Sequence, residues 1–220
     1  MFKGCVFDLD GVITDTAKLH FAAWKRLSKE QLNIDLPDSF EVTLKGVGRI
    51  DSLKKILSFG KLEEKINDKQ IDELAFKKNS YYLESINNLT EQDILPGISK
   101  FIDQLRKHNI LMSIASASKN APIILKKLNL IDNFNAIVDP AKIKRGKPAP
   151  DIFIEGALKL GLRPDECIGI EDSVAGVQSI KDAGMICVAI GNEKELYKAD
   201  KIISNTKYLN YELLDKVFNS

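Results

Sequence analysis

The sequence lacks several features that mark large classes of protein. No apolar run approaches the roughly 20 residues that a membrane span requires. The net charge is only +1, from 32 basic and 31 acidic residues among 220, so the overall charge gives no signal for nucleic acid or membrane surfaces. The N-terminus enters an apolar segment directly, and we expect no signal peptide. We therefore expect a cytoplasmic protein that binds neither nucleic acid nor membranes.

Cysteine is scarce as well, with Cys5, Cys167 and Cys187 as its three occurrences. All three fall in apolar segments that predict strands, so we interpret them as small buried hydrophobic residues in a reducing compartment. We find no internal repeat, no low-complexity linker and no Gly-x-Ser-x-Gly elbow for a serine nucleophile. The composition is that of an ordinary globular protein, with 44% hydrophobic and 29% charged residues, and 220 residues are long enough to form a substantial core.

Two carboxylates follow the first apolar segment, Cys5-Val6-Phe7. Because strand side chains alternate, Asp8 and Asp10 should point the same way where the strand ends, and Gly11 allows the backbone to turn sharply there. Two neighbouring carboxylates repel each other and are costly to desolvate, so a cation should lie beside them.

Three interpretations of this Asp-x-Asp compete. It could be a chance pair at a strand end. A calcium-binding EF-hand loop is excluded, because that pattern needs Asp or Asn at Val12 and Gly at Ile13. The third is an aspartyl phosphotransferase, in which a carboxylate that is already ionised at neutral pH attacks phosphorus while Mg²⁺ screens the charge. The segment from Phe7 to Thr16, Phe-Asp-Leu-Asp-Gly-Val-Ile-Thr-Asp-Thr, resembles the first motif of the haloacid dehalogenase superfamily.

The rest of the chain predicts an α/β fold with an insertion. Helical periodicity without a convincing strand runs from residue 36 to residue 86, and strand–helix alternation follows from Ile98. We predict a doubly wound, mostly parallel sheet, the Rossmannoid core of haloacid dehalogenases, with a small all-helical cap inserted after the first strand. The predicted boundaries are residues 1–14 and 93–220 for the core and 15–92 for the cap.

Polar residues follow four of the predicted strands, where a parallel sheet binds its ligands. They are Asp8 and Asp10 after the first, Ser116 after the second, Lys147 in the loop after the third, and Glu171 and Asp172 after the fourth. Taken singly, the serine and the last two acids would be read as helix caps and the lysine as a solvated loop residue. Together they supply what phosphoryl transfer requires: oxygen ligands for Mg²⁺, groups that bind the phosphoryl oxygens, and a spare carboxylate for proton transfer.

These elements match the four motifs of the superfamily in order and spacing. The resemblance implies that Asp8 is the nucleophile and that Asp10 is the general acid/base. It implies that Ser116, Ala117 and Lys147 hold the transferring phosphoryl group. It also implies a Mg²⁺ site formed by Asp8, Asp10 through its backbone carbonyl, Glu171 and Asp172.

The cap segment Lys45-Gly46-Val47-Gly48-Arg49-Ile50-Asp51-Ser52 is similar to the specificity loop of the sugar-phosphate mutases in this superfamily. Without the resemblance, its basic residues would be a solvated pair near a helix start. The resemblance implies interconversion of β-D-glucose 1-phosphate and glucose 6-phosphate through β-D-glucose 1,6-bisphosphate. Such an intermediate demands two phosphate sites. The second would be formed by Arg49, Ser118, Lys119 and Asn120, and the sugar would be bound by His20, Trp24, Lys45, Gly46, Val47, Ser52 and Lys78.

Two departures from the mutase pattern bear on the identity of the sugar more than on the chemistry. Gly48 and Ile50 stand where Ser and Glu are expected, and Phe76 stands where a basic residue is expected. A sugar-phosphate phosphatase of the same superfamily therefore remains an alternative. A non-catalytic regulatory domain that binds phosphate or Mg²⁺ is a second alternative. We expect a monomer whose partner is a small sugar phosphate.

Overall fold

The structure, a computed structural model, describes residues 1–220. The chain divides into two compact units. The core unit comprises Met1–Asp15 and Leu89–Ser220, and the cap unit comprises Thr16–Asn88. The predicted domain boundaries, between residues 14 and 15 and between residues 92 and 93, stay a prediction.

Six parallel strands form a single sheet in the core unit. They are β1 (Gly4–Phe7), β2 (Leu111–Ile114), β3 (Ala136–Ile137), β4 (Cys167–Glu171), β5 (Ile186–Ile190) and β6 (Lys201–Ile203). Their spatial order is β3-β2-β1-β4-β5-β6, so the chain builds outward from β1 in both directions. The predicted parallel sheet is confirmed, and the point where the strand order reverses lies between β1 and β4.

Helices connect these strands, and their apolar faces pack on the sheet. The core-unit helices are α4 (Ile98–Lys107), α5 (Ala121–Lys127), α6 (Asp151–Leu158), α7 (Val174–Asp182) and α8 (Tyr211–Phe218). The α4 helix shows the predicted periodicity: its four apolar residues Ile98, Phe101, Ile102 and Leu105 are all buried. Burial of such faces on both sides explains why the central strands β1 and β4 carry no exposed residue.

The cap unit is helical, as predicted. It contains α1 (Ala17–Leu32), α2 (Arg49–Phe59) and α3 (Asp68–Ile86), and α3 packs against both α1 and α2. The α3 helix begins with a capping box in which the side chain of Asn67 accepts the N–H of Gln70, and that of Gln70 accepts the N–H of Asn67.

Helical periodicity predicts that Ala22 lies on the apolar face of α1 and Ile50 on that of α2. Ala22 is exposed instead, because Phe21, Ala23 and Trp24 fill the buried side of that turn. Ile50 is 38% exposed, since it lies on the solvent side of the first turn of α2. The apolar run Ala136-Ile137-Val138 predicts a strand, but β3 ends at Ile137.

The three cysteines lie in β1, β4 and β5 and are fully buried as free thiols, as predicted. Burial raises the pKa of the Cys5 thiol, and it raises the pKa of Cys167 to about 12. Both thiols therefore stay protonated and unreactive at neutral pH. No helix of the structure combines the length and the apolar character needed to cross a membrane.

Candidate active site

The carboxyl ends of β1, β2 and β4 lie level with one another. The N–H of Asp8 donates to the carbonyl of Ile170 at 2.9 Å, and the N–H of Ala115 donates to the carbonyl of Phe7 at 2.7 Å. Asp8 therefore emerges from the sheet beside the last residue of β4, Glu171. The two acids flank the point where the strand order reverses, the usual ligand position in such sheets.

A lysine joins these two acids. The Nζ of Lys147 lies 2.6 Å from Oδ1 of Asp8 and 2.7 Å from Oε2 of Glu171. The exposed fractions of the three side chains are 0% for Lys147, 5% for Asp8 and 0% for Glu171, so bulk solvent screens none of these charges. The sequence predicted that these residues would converge, and the structure brings them into direct contact.

The electrostatics of this triad favour an ammonium ion flanked by acids. Burial lowers the pKa of Lys147, but the charges of Asp8 and Glu171 outweigh burial and raise that pKa above its ordinary value. Burial is also the main reason why the pKa of Asp8 is raised; Glu171 adds to this effect, while Lys147 opposes it. A further positive charge beside Asp8 would favour the carboxylate that nucleophilic attack requires.

The acids also fit a divalent cation. Oxygens of Asp8, Glu171 and Asp172 all lie within 4.8 Å of one another. Ionised, these three acids carry more negative charge than the single ammonium of Lys147 neutralises. Carboxylate oxygens are the ligands that Mg²⁺ prefers.

Gly11 makes room for Asp172. Its φ is +83°, and a Cβ at this position would lie 2.0 Å from Oδ2 of Asp172. Both the backbone conformation and the close approach therefore require glycine. The loop that turns away after Asp10 is closed by the N–H of Gly11, which donates to the carbonyl of Thr14 at 2.8 Å. Asp10 itself is partly exposed at the start of this loop, two residues beyond Asp8.

The second carboxylate oxygen of Glu171 accepts three hydrogen bonds. Its Oε1 receives the N–H of Asp172 at 3.0 Å, the N–H of Ser173 at 3.1 Å and the hydroxyl of Ser173 at 3.1 Å. With Oε2 facing Lys147, both oxygens are engaged. The resemblance implied that Glu171 ligates Mg²⁺; direct ligation would compete with these contacts.

The predicted phosphate-binding loop after β2 is compact. The hydroxyl of Ser116 accepts the N–H of Ser118 at 3.1 Å, and the hydroxyl of Ser118 accepts the N–H of Asn120 at 3.3 Å. These three side chains are buried, Lys119 is exposed, and α5 follows directly. The hydroxyls of both serines keep their protons to donate, which a phosphate oxygen would accept. Between them, Ala117 is half-buried.

The cap unit holds a buried lysine among aromatic rings. The Nζ of Lys78 lies 2.6 Å from Nδ1 of His20 and 4.8 Å from the ring centroids of both Trp24 and Tyr82. The ring of His20 stacks on that of Tyr82 with centroids 3.7 Å apart. Three residues predicted to bind sugar are thus assembled within one unit, and Tyr82 joins them.

Arg49 lies at the start of α2 and donates from Nη2 to Oδ1 of Asn79 at 2.8 Å. Burial lowers the pKa of Arg49, and the pKa of His20 is lowered by burial and by the charges of Lys78 and Arg49. The imidazole of His20 is therefore neutral at pH 7. The cap unit accordingly carries two cationic groups that would bind an anion beside a neutral imidazole.

The segment before α2 contains the remaining predicted cap residues. Lys45 is exposed, Gly46 takes a φ of +71°, and Val47 accepts the hydroxyl of Ser52 at 3.3 Å. Gly48 precedes the helix in an extended conformation.

Several contacting residues were not among the predicted site residues. Tyr82 could have been suspected, because it lies four residues after Lys78 on the same helix face. The sequence predicts Ser173 only as the start of α7, and a residue that caps a helix gives no sequence signal for a contact with Glu171. For Asn79 we find no signal in the sequence.

Comparison with known proteins places this architecture in a family. A model of haloacid dehalogenase-like hydrolases matches residues 2–184. The chain belongs to this family. As a member of it, the chain is an enzyme, which decides against a non-catalytic regulatory domain.

Individual relatives of this haloacid dehalogenase-like protein are close. A β-phosphoglucomutase of Bacillus subtilis is 45% identical over 212 residues, which cover 96% of this chain and 93% of the relative. A crystal structure of β-phosphoglucomutase from Clostridium difficile superposes with a TM-score of 0.97 at 40% identity, covering 100% of this chain and 98% of the other. A fructose-1-phosphate phosphatase of Escherichia coli is 27% identical over 190 residues, 86% of this chain and 96% of that protein. The predicted fold class is confirmed by the structural match.

Proposed function

We propose that this enzyme is a β-phosphoglucomutase, which interconverts β-D-glucose 1-phosphate and β-D-glucose 6-phosphate through an aspartyl phosphate and β-D-glucose 1,6-bisphosphate. The observation that carries the phosphoryl chemistry is the buried contact of Lys147 with Asp8 at the switch point of the sheet. The choice of mutase is supported by the 45% identity over nearly the whole chain.

In this proposal Asp8 attacks phosphorus with the carboxylate oxygen that Lys147 does not hold. The ammonium of Lys147, with the hydroxyl of Ser116 and the backbone at Ala117, binds the phosphoryl oxygens as charge develops on them. The aspartyl phosphate transfers its phosphoryl group to the C6 hydroxyl of β-D-glucose 1-phosphate, which loses its proton, and β-D-glucose 1,6-bisphosphate forms. With the bisphosphate turned around, Asp8 attacks the phosphorus on C1, the C1 oxygen leaves, and glucose 6-phosphate is released as the aspartyl phosphate re-forms.

Asp10 moves the proton. When a sugar hydroxyl attacks the aspartyl phosphate, its proton must leave, and in the reverse step the departing sugar oxygen needs one. Asp10 follows Asp8 by two residues on the same strand extension, which suits it to either task.

Mg²⁺ would be held by Asp8, Asp172 and the backbone carbonyl of Asp10, with Glu171 as a further candidate ligand. When bound, the ion would reduce the repulsion between the Asp8 carboxylate and the negatively charged phosphoryl group. The crowding of acid oxygens and the space left by Gly11 support such a site.

A bisphosphate intermediate requires a second binding site, for the phosphate that is not reacting. We assign this site to Arg49, Ser118, Lys119 and Asn120. The guanidinium group of Arg49 suits it because guanidinium binds phosphate bidentately. The sugar would be bound by His20, Trp24, Lys45, Gly46, Val47, Ser52 and Lys78. The assembly of Lys78, His20 and Trp24 inside the cap unit supports this assignment. We further propose that the enzyme acts as a cytoplasmic monomer without a nucleic-acid or membrane partner.

A sugar-phosphate phosphatase is the second candidate, favoured by the match to the fructose-1-phosphate phosphatase of Escherichia coli. In that case Asp10 would activate water instead of a sugar hydroxyl. The two functions differ in product.

The experiment supplies β-D-glucose 1-phosphate, Mg²⁺ and a trace of β-D-glucose 1,6-bisphosphate, and follows glucose 6-phosphate and inorganic phosphate in the same reaction. A mutase converts most of the substrate to glucose 6-phosphate with little free phosphate. Stoichiometric release of inorganic phosphate without glucose 6-phosphate would establish the phosphatase instead.

A further inference from the structure

Ser173 connects the end of β4 to the start of α7 through one hydroxyl. That hydroxyl accepts the N–H of Gly176 at 3.0 Å, which makes Ser173 the N-cap of the helix. It also lies 3.1 Å from Oε1 of Glu171, a carboxylate oxygen that can only accept, so the hydroxyl donates its proton to Glu171. Capping uses a lone pair and the contact with Glu171 uses the proton, so the two roles are chemically separate.

The carboxylate of Glu171 is held closely against the first turn of α7. A Cβ at Gly176 would lie 1.7 Å from its Oε2, so only glycine admits the carboxylate there. The positive end of the helix dipole and three hydrogen-bond donors on Oε1 favour this position. Glu171 is therefore a fixed anion.

Lys147 depends on this fixed anion for its position. A lysine side chain has several rotatable bonds and takes up the geometry that its charged partners define. Its ammonium is shared almost equally between Asp8, at 2.6 Å, and Glu171, at 2.7 Å. If Glu171 could move away, Lys147 would pair with Asp8 alone and would hold the carboxylate that must attack phosphorus.

We propose that Ser173 is a positioning residue for phosphoryl transfer, acting through Glu171 to keep the Lys147 ammonium between that acid and Asp8. This role rests on the proposed function of the Asp8 site. It predicts that Ser173 affects phosphoryl binding and turnover, and that it affects Mg²⁺ binding little, because both oxygens of Glu171 are already engaged, Oε2 by Lys147 and Oε1 by three donors.

The test compares Ser173→Ala with Ser173→Thr and with a control. The alanine variant loses both the cap and the donor, whereas threonine keeps both. Asn210→Ala is the control, because Asn210 caps α8, a helix of similar length, by accepting the N–H of Leu213 at 2.8 Å. The Asn210 side chain also donates from Nδ2 to the carbonyl of Tyr208 at 3.0 Å, and neither Tyr208 nor Leu213 belongs to the candidate site. This variant therefore measures what the loss of a capping side chain does away from the site.

Three quantities are measured on the full chain: turnover with β-D-glucose 1-phosphate, the dissociation constant of inorganic phosphate in the presence of Mg²⁺, and the dissociation constant of Mg²⁺ by calorimetry. Ser173→Ala should lower kcat by about 10-fold, the lower end of what the loss of a hydrogen bond to a charged group costs. It should weaken phosphate binding by a similar factor and change Mg²⁺ affinity by less than about twofold. Ser173→Thr should restore kcat and phosphate binding, and Asn210→Ala should lower Tm alone.

Other outcomes overturn the proposal. Mg²⁺ affinity that falls as much as kcat would mean that Ser173 acts on the metal site. Equal losses in Ser173→Ala and Asn210→Ala would mean that the loss of a cap alone explains the effect. A failure of threonine to restore activity would mean that the hydroxyl of residue 173 is not what sustains turnover. Phosphate binding needs no sugar, so this comparison stands even if the enzyme proves to be a phosphatase.

Discussion

At the scale of single residues, the site depends on which atoms are already engaged. Lys147 contacts Oδ1 of Asp8, and in the proposed function the other oxygen of Asp8 attacks phosphorus. Glu171 neutralises part of the Lys147 charge from the opposite side. A lysine shared between two acids neutralises Asp8 less completely than a lysine paired with Asp8 alone, so in the proposed function a bound Mg²⁺ would help to keep Asp8 ionised.

A side chain at position 11 would displace Asp172, so a substitution of Gly11 tests the proposed metal site. In Gly11→Ala the new Cβ would lie 2.0 Å from Oδ2 of Asp172, so this carboxylate must move. The positive φ adds backbone strain of about 1–2 kcal/mol. We expect the variant to need a much higher Mg²⁺ concentration for half-maximal activity, as measured by titration of turnover against Mg²⁺.

Gly161 supplies the matched control. Its φ is +72°, but a Cβ there would meet nothing within 4 Å. Gly161→Ala should lose comparable stability and keep the wild-type Mg²⁺ requirement. An unchanged Mg²⁺ requirement in Gly11→Ala would show that Asp172 does not hold the ion.

At the scale of elements, the strands were predictable because fully buried parallel strands leave short apolar runs. The residues that follow β1, β2 and β4 were predictable as a group for the same reason, since parallel strands end at one edge. Pairwise contacts across the site could not be read from the chain. Glu171 accepts hydrogen bonds from Ser173 and Lys147 because the end of β4, the start of α7 and the loop before α6 meet at this position.

The cap unit shows a similar limit. Helical periodicity predicted its helices, but the burial of Lys78 between Trp24 and Tyr82 contradicts what periodicity alone says about a charged residue. Buried lysines are rare unless paired, and this one lies at hydrogen-bond distance from His20. Functional residues break the polar–apolar pattern on which sequence reasoning relies.

Arg49, the first residue of α2, distinguishes the mutase from the phosphatase. A mutase must hold the phosphate that is not reacting, and a charge-assisted contact of this kind contributes roughly 1.5–3 kcal/mol. Arg49→Ala should therefore lower mutase turnover by about 10- to 150-fold. Hydrolysis of acetyl phosphate, which carries no second phosphate, should change far less.

Lys54 is the control for that change, because it is an exposed basic residue on the same helix. Lys54→Ala should leave both reactions unchanged. Equal losses on both substrates in Arg49→Ala would mean that the residue supports the fold of the cap unit through Asn79. No loss on either substrate would favour the phosphatase.

At the scale of the whole molecule, the proposed function combines a phosphoryl-transfer site in the core unit with a basic, aromatic cluster in the cap unit. The core site requires only a phosphate ester. We propose that the cap cluster binds the sugar, a role that the 45% identity to a β-phosphoglucomutase supports. The central claim is that the phosphoryl group becomes covalently bound to Asp8 during the reaction.

The measurement that tests this claim most directly is the location of the phosphoryl group on the protein. The enzyme is incubated with acetyl phosphate and Mg²⁺, quenched in acid, digested and analysed by mass spectrometry. We expect phosphate on the peptide that contains Asp8. We expect none in Asp8→Asn, which should still fold because Lys147 keeps Glu171 as its partner. Phosphate on another residue, or wild-type turnover in Asp8→Asn, would contradict the account.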